Sequence, residues 1–439
     1  MNQAFEILVV GAGPAGIAAA VSAAEAGRQV GLVDDNPASG GQIWRTGAHL
    51  PSAARHWLGR LDQSTVVRLQ GWRVFDCPEP TVLCAERNAG TGARVSSDSA
   101  DPEEEYAELR FAKLILATGA RERFLPFPGW TLPNVMGAGG LDAFVRSGLP
   151  IAGKRVVVAG TGPLLLAVAA HLAARGARIA AICEQAPRRQ MAQLATSLLS
   201  QPGKLWQGAR YRWTARQARY LTGCWPVAAQ GDQKLRSVTL RQGHKQWTVD
   251  CDYLACGFHL VPNTELPALM GCRIEDGFVA TGDLLQTSAP DVWCAGEPTG
   301  IGGVELALLE GRMAGLAAAG KLEQARRLVR LRRNGLGFVR ALQRACALNP
   351  QLRELAAEET IVCRCEDVRL EALRDRSGWR DAKLHTRCGM GPCQGRVCGA
   401  AVEFLFGWQP DSVRPPLFPV LVSSLAAASA FSEHPRETL

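Results

Sequence analysis

Residues 7–34 run strand, glycine turn, helix, strand and acid, and no other stretch limits the fold of this chain so tightly. Ile7–Val10 is an apolar, β-branched run that enters Gly11-Ala12-Gly13-Pro14-Ala15-Gly16 without an intervening loop. An alanine-rich helical segment follows from Ala15 to Ala26, Gly27 stops it, and Val30–Val33 reads as a second buried strand ending at Asp34. This is the spacing of a dinucleotide-binding βαβ unit. Gly11 permits the tight turn, Gly13 lets the backbone approach a pyrophosphate, and Gly16 lets helix and strand pack closely. The unpaired N–H groups of the helix N-terminus face the phosphates. Asp34 is placed to accept hydrogen bonds from ribose hydroxyls. A bare GxGxxG is also compatible with a glycine-rich turn in an ordinary α/β protein; the strand before it, the helix after it and the acid at the end favour dinucleotide binding.

A chain of 439 residues exceeds what one hydrophobic core usually holds, so two or three domains are expected. With 47% hydrophobic residues and 46 glycines the composition is that of a packed α/β protein. The first residues carry no basic n-region or cleavage site, so no signal peptide is expected. The 14 cysteines are then thiols or metal ligands, not disulfides. The apolar tail Leu417–Phe431 is broken by Pro419 and is too short to span a bilayer, so it is expected to dock on the protein. A cytoplasmic protein, with room for peripheral contact at the inner membrane face, fits these features. Between Lys321 and Arg353 nine Lys or Arg face one acid, Glu323, and this segment accounts for the whole net charge of +8. No nucleic-acid recognition motif accompanies the run, and nucleic acid is not expected as a partner. Leu328, Leu331, Leu336, Val339 and Leu342 have helical spacing, which predicts an amphipathic connecting helix with a solvated basic face. The sharper alternative is a docking surface for an acidic partner or an anionic membrane.

In chain order, Pro37–Gln42 is a loop in which Gly41 and Gln42 would pass close to the cofactor. An antiparallel meander is expected from Val66–Leu69, Thr81–Glu86 and Glu108–Phe111, with Asn88–Glu105 as an exposed loop. Leu114–Ala120 is a buried strand ending in Thr118-Gly119, where the chain returns beside the cofactor. Residues 121–150 read as a connection. Arg155–Ala159 then enters Gly160-Thr161-Gly162-Pro163-Leu164-Leu165, a helix runs through Ala174, and a strand ends at Glu184. The first unit is thus repeated, but Leu165 stands where the third glycine stood. Its bulk is expected to push the helix off the strand and alter the phosphate pocket, leaving NAD(P) or an empty, repurposed pocket as readings. Glu184 favours a free ribose, while Arg188 and Arg189 leave a 2′-phosphate open. Asp252–Gly257 returns as a strand, and Pro262-Asn263 re-enters the first domain. Val292–Glu297, with Gly296-Glu297 at its end, precedes Gly302-Gly303 and a further helix.

These motifs resemble the two-dinucleotide-domain flavoproteins that include glutathione reductase and thioredoxin reductase, over residues 5 to 320. The resemblance implies an α/β fold with two Rossmann-like domains and FAD in the first. An FAD domain is expected at 1–130 and 260–320, an NAD(P)-binding-like domain at 150–259, a basic helical linker at 321–357 and a tail at 410–439. In that family a Gly-Asp pair contacts the flavin ribityl and pyrophosphate; here Gly296-Glu297 is one methylene longer. A redox dithiol, which disulfide reductases need, is missing between Met1 and Leu355. Cys251 and Cys256 flank a buried strand and read as structural, and the other isolated cysteines as small core residues.

Val362-Cys363-Arg364-Cys365-Glu366 and Arg387-Cys388-Gly-Met-Gly-Pro-Cys393-Gln-Gly-Arg-Val-Cys398 place five cysteines within thirty-six residues. CxC followed by CxxxxC offers four thiolates to tetrahedral zinc or an iron-sulfur cluster. Beside a flavin, an electron carrier makes better chemical sense than structural zinc. With these segments included, the chain resembles the dinucleotide-binding α subunits of hydrogen cyanide synthase, opine oxidase and hydroxyproline dehydrogenase complexes. The resemblance implies a bacterioferritin-associated-ferredoxin-like 2Fe-2S domain over 358–409 with Cys363, Cys365, Cys393 and Cys398 as ligands, and Cys388 as a fifth candidate. The implied partner is a D-amino-acid-oxidase-like flavoprotein, the β subunit, with room for FMN at a subunit interface, for a small ferredoxin-like subunit and for another adenine nucleotide instead of FAD in the first site. The expected role is electron transfer from that partner through flavin and cluster. A self-contained NAD(P)H-dependent flavin and iron-sulfur reductase is the alternative, and a largely structural role in the complex is the third reading.

Overall fold

The computed structural model describes residues 2–44, 50–88, 105–200, 202–410 and 412–432, and no helix among them is long and apolar enough to cross a membrane. The chain divides into two compact units, one of residues 1–120, 262–336 and 412–439, the other of 121–261 and 337–411.

The first unit is built on a sheet whose parallel part runs Val67–Gln70, Val30–Asp34, Asn2–Val10, Tyr106–Leu116 and Val292–Cys294. The apolar side chains of Ile7–Val10 and Val30–Val33 are almost fully buried, as a sheet covered on both faces requires. Helix Pro14–Glu25 crosses between the first two strands, and Gly13 and Pro14 mark its start. Helix Val304–Ala318 packs on it so closely that a Cβ at Gly311 or Gly315 would meet the carbonyl oxygens of Ala15 and Ala19 at 2.0 and 2.3 Å.

Two sequence expectations change here. Val67–Gln70 pairs in parallel with Val30–Asp34 and belongs to the main sheet; the antiparallel meander is instead Trp72–Glu79, Val82–Arg87 and Tyr106–Leu116. Nothing breaks the chain between Phe111 and Leu114, so the two expected strands merge into one. Its first half pairs antiparallel with Val82–Arg87, and its second half lies parallel beside Val292–Cys294. Of the expected 88–105 loop, residues 89–104 lie outside the described residues. The tail does dock: Leu417 N–H donates to the Phe75 carbonyl at 2.8 Å, and Ala428 is buried against Phe75 and Cys84.

The second unit holds an all-parallel sheet of Arg219–Thr222, Arg178–Glu184, Arg155–Thr161, Tyr253–Phe258 and Val135–Met136. The stretch expected as connection therefore supplies an edge strand, and also helix Ala138–Arg146. Its prolines and glycines hide both elements, because the strand is only two residues long. Strands Cys224–Gln230, Ser237–Gln242 and Lys245–Asp250 form an antiparallel meander. The Cys-rich stretch is built into this unit: Trp130 Nε1 donates to the Ile361 carbonyl at 2.6 Å, Arg121 Nε to that of Arg396 at 3.1 Å, and Val397 and Phe404 pack against the core around Phe127 and Phe258.

Candidate functional site

In the first unit the glycine turn, the acid and three later segments meet at the carboxyl ends of the parallel strands, where open α/β sheets bind ligands. A Cβ at Gly16 would stand 1.7 Å from the Gly11 carbonyl oxygen, so the helix begins this close to the strand only because the residue is glycine. Asp34 Oδ2 accepts from the Ala12 N–H at 2.5 Å, while Oδ1 accepts from the Asn36 backbone and side chain. The carboxylate is thereby fixed at the mouth of the turn and remains half-buried. Gly40 N–H donates to the Ala12 carbonyl at 2.8 Å, which lays Gly41 against Gly13 and leaves Gln42 exposed beside them. Thr118 Oγ1 donates to the Asn263 carbonyl at 2.6 Å, and the Asn263 backbone and side-chain amides return to the Gly119 and Thr118 carbonyls at 3.0 and 2.9 Å. Chain re-entry at Pro262-Asn263 is thus what holds Thr118-Gly119 in place. Gly296 lies so near Ala15 that a Cβ there would come within 2.8 Å of the Ala15 methyl. Glu297 Oε1 accepts from Gly303 N–H at 3.1 Å, ahead of helix Val304–Ala318.

Sequence reasoning misses the group that holds this last turn. Glu310, fully buried, accepts from Gly296 N–H at 2.9 Å and Thr299 Oγ1 at 2.7 Å, and its other oxygen takes Arg332 Nε at 2.8 Å. Arg332 belongs to the basic run that reads as solvated, yet its side chain is only 8% exposed. An acid two turns into a helix and an arginine among eight other basic residues carry no signal of pairing.

The residues fit an adenine dinucleotide. The cradle is open, since a Cβ on Gly13 meets nothing nearer than the Gly41 Cα at 4.0 Å, and the helix N-terminus offers donors to anionic phosphates. Bound FAD would supply two-electron and one-electron chemistry in one group. The chain's own part would be to hold the pyrophosphate at Gly13, Pro14, Ala15 and Gly16 and the ribose at Asp34.

The second glycine turn differs. Glu184 is buried, and its two oxygens accept from Thr161 Oγ1 at 2.5 Å, Ala186 N–H at 2.9 Å and Gly162 N–H at 2.8 Å. Burial raises its pKa, and those three bonds oppose the rise. Leu165 points into the core with Val156, Val158 and Leu172, and Arg188 and Arg189 are exposed.

In the Cys-rich stretch, Ile361–Cys363 and Val368–Arg369 form a small antiparallel hairpin that carries CxC. The second cysteine group lies between helices Trp379–Thr386 and Gly399–Phe406. Gly391 lets the two groups meet: a Cβ there would be 2.3 Å from that of Cys365. The sulfurs of Cys363, Cys388 and Cys398 lie within 4.8 Å of one another, all three residues buried. Hydrogen bonds from the Cys388 and Cys398 thiols hold the Cys363 pKa far below the usual thiol value, and the bond to Cys363 is the main cause that pushes Cys398 up. A thiolate is the form that binds a soft metal. Cys365 and Cys393 make a side-chain hydrogen bond to each other; burial is the main cause that raises Cys365. Five sulfurs therefore gather in two groups, and Cys388 stands with Cys363 and Cys398. This donor set suits an iron-sulfur cluster, a one-electron carrier when bound.

None of the fourteen cysteines forms a disulfide. Cys251 and Cys256 are buried, and burial pushes the Cys251 thiol up to about 12. Cys183 and Cys224 touch through their thiols inside the second unit, a contact no sequence spacing announces.

A β-sheet with this glycine turn, acid and returning strand defines a dinucleotide-dependent oxidoreductase, and the chain belongs to the pyridine nucleotide-disulphide oxidoreductase family, whose model matches residues 5–319. Within that class it is similar to hydrogen cyanide synthase subunit HcnB of Pseudomonas protegens, with 32% identity over 424 residues and 89% of each chain covered. It is also similar to an opine oxidase subunit of Rhizobium meliloti, with 31% identity over 473 residues, 96% of this chain and 98% of that one. Among solved structures, L-proline dehydrogenase from P. horikoshii superposes with a TM-score of 0.65 at 15% identity, covering 97% of this chain and 80% of that one. Thioredoxin reductase of T. acidophilum gives 0.54 at 17% identity, covering 73% and 99%. At these identities the two structures speak for the fold alone.

Proposed function

We propose that this chain is the electron-transferring α subunit of a heteromeric, FAD-dependent amino-acid, imino-acid or opine dehydrogenase. The observation that carries the reading is the pairing, in one chain, of an open dinucleotide cradle with a five-cysteine cluster site, while no redox dithiol accompanies the cradle among the described residues. Electrons leave the substrate in a D-amino-acid-oxidase-like partner flavoprotein and pass through flavin and a 2Fe-2S cluster held by Cys363, Cys365, Cys393 and Cys398. The relatives support it, since HcnB and its opine oxidase counterpart are named as subunits of larger enzymes. A small ferredoxin-like subunit, or FMN at a subunit interface, is compatible with this arrangement. On this reading the substrate pocket belongs to the partner.

Two measurements test this. Purified alone, the chain should not oxidise amino, imino or opine substrates with a dye acceptor, and should do so when co-expressed with the partner; steady turnover by the single chain overturns the assignment. Alanine at Cys363, Cys365, Cys393 or Cys398 should abolish the 2Fe-2S absorbance and reduced-state paramagnetic signal, whereas Cys388→Ala should keep them. Cluster loss in Cys388→Ala with retention in Cys398→Ala would show that Cys388 is a ligand.

A further inference from the structure

The two glycine turns of this chain have the same start, Gly-x-Gly-Pro, and opposite surroundings. In the first, Gly11 and Gly13 are half-exposed and Asp34 faces an open mouth. In the second, Gly160, Thr161 and Gly162 are all buried, and Glu184 is 1% exposed. What covers them is the chain itself. A Cβ at Gly162 would lie 3.6 Å from the Cys346 sulfur and 3.8 Å from His259 Cδ2. Cys346 closes helix Val329–Ala345, and from Gly337 onward this helix belongs to the second unit. Its residues Ala341, Leu342, Ala345 and Cys346 bury against Leu194, with Met191 and Leu198 packed around them. The following turn is pinned at the carboxyl end of the strand that carries Glu184. Gln185 Nε2 donates to the Ala347 carbonyl at 3.1 Å, and Gln185 Oε1 accepts from Asn349 N–H at 3.0 Å.

We infer that the second dinucleotide fold takes the segment Cys346–Asn349 of this same chain as its ligand, in the place where the pyrophosphate and adenosine of NAD(P)H would lie, and that it binds no nicotinamide nucleotide. Two elements of a nucleotide site are spent on this contact. Gly162 lies against the Cys346 thiol, and Gln185, the residue after the acid, clamps the incoming turn. Leu165, at the place of the third glycine, is itself buried with Val156 and Val158. The fold is retained because it anchors the chain just before the Cys-rich stretch. The inference rests on this geometry and stands whether or not the proposed substrate class is right.

The test uses the full chain in its co-expressed complex, with NADH and NADPH as probes and alkylation of Cys346 by N-ethylmaleimide, read by mass spectrometry, as the report on the segment. Burial pushes the Cys346 thiol up to about 12, so labelling requires the segment to lift. Neither nucleotide should bind the wild type with a Kd below about 1 mM or change the labelling rate. Gln185→Ala removes both clamping bonds and should raise that rate roughly tenfold or more. Micromolar NADH or NADPH binding, or nucleotide-accelerated labelling of Cys346, shows that the pocket opens for a nucleotide and overturns the inference. An unchanged labelling rate in a folded Gln185→Ala complex overturns the clamp. The binding measurement on the wild type keeps the test decisive if that variant does not fold.

Discussion

Gly13 separates what the first glycine turn does for the fold from what it does for the ligand. Its backbone sits at φ −75° and ψ −177°, a conformation open to any residue, and the nearest atom to an added Cβ is the Gly41 Cα at 4.0 Å. Gly13→Ala therefore costs the fold only the difference between glycine and alanine at a helix N-cap, about 0.5–1 kcal/mol. On the ligand side the same methyl stands where the pyrophosphate must approach the N-terminus. Displacing the phosphates weakens one or two charge-assisted bonds at about 1.5–3 kcal/mol each, so the dinucleotide Kd should rise roughly 10- to 100-fold per bond. Gly13→Val should empty the site. Gly16→Ala is the contrasting control: its Cβ would sit 1.7 Å from a backbone oxygen, and it should damage the fold itself. The assay is adenine dinucleotide released per purified chain, with hydrogen exchange across helix Pro14–Glu25 as the check on folding. A Gly13→Val chain with wild-type protection and a full complement of dinucleotide would refute the reasoning.

Two further outcomes follow from buried charge. Glu310→Ala strands Arg332 and frees Gly296 N–H, so hydrogen exchange over residues 292–318 should show about 3–5 kcal/mol less protection, with most of it restored in Glu310→Ala/Arg332→Met; full protection in the single variant contradicts this. His259 is held neutral, its pKa lowered to about 4 first by burial and then by Arg123. The unfolded state takes a proton near pH 6.5 and the folded state only near 4, so this contribution is complete above about pH 6.5 and disappears as pH falls toward 4. It amounts to at most about 3 kcal/mol. His259→Asn, which tolerates the positive φ of 72°, should lose less protection in strand Tyr253–Phe258 between pH 7 and 4.5 than the wild type; equal losses contradict it.

The elements that can be read directly are those whose signal is local. Pro14–Glu25, Pro163–Ala174 and the strands ending at Asp34 and Glu184 follow from apolar runs meeting glycine turns, and they appear where those runs place them. The CxC hairpin is equally local. What the sequence hides is pairing at a distance. Val67–Gln70 looks like any meander strand until its parallel partner is known, and Val135–Met136 is too short for any period to show. Glu310 with Arg332 and Gln185 with Asn349 join residues whose spacing encodes nothing, and the cysteine spacing, which does announce a metal site, does not say that Cys388 stands with Cys363 and Cys398. Leu165 does announce that the second pocket differs, but the covering segment lies far along the chain, in a stretch whose charge makes it read as a solvated linker.

That linker also bears on where electrons enter. Its charge count suggests a uniformly basic docking face, yet Arg326 pairs with Glu323, Arg333 with Asp283, and Arg332 is buried on Glu310. The apolar face of its last turns is committed as well, since Val339, Leu342 and Cys346 are buried. A helix engaged in this way is a tether first and a recognition surface second. If its end closes the second nucleotide fold, hydride from a free nicotinamide has no seat in this chain. Reducing equivalents must then reach the first site from a group held elsewhere, and a cluster that takes one electron at a time is suited to passing on what a two-electron donor delivers. On that proposal electron transfer within a larger complex accounts for the chain better than a self-contained reductase does, because the pocket that a reductase needs would be filled by the protein itself.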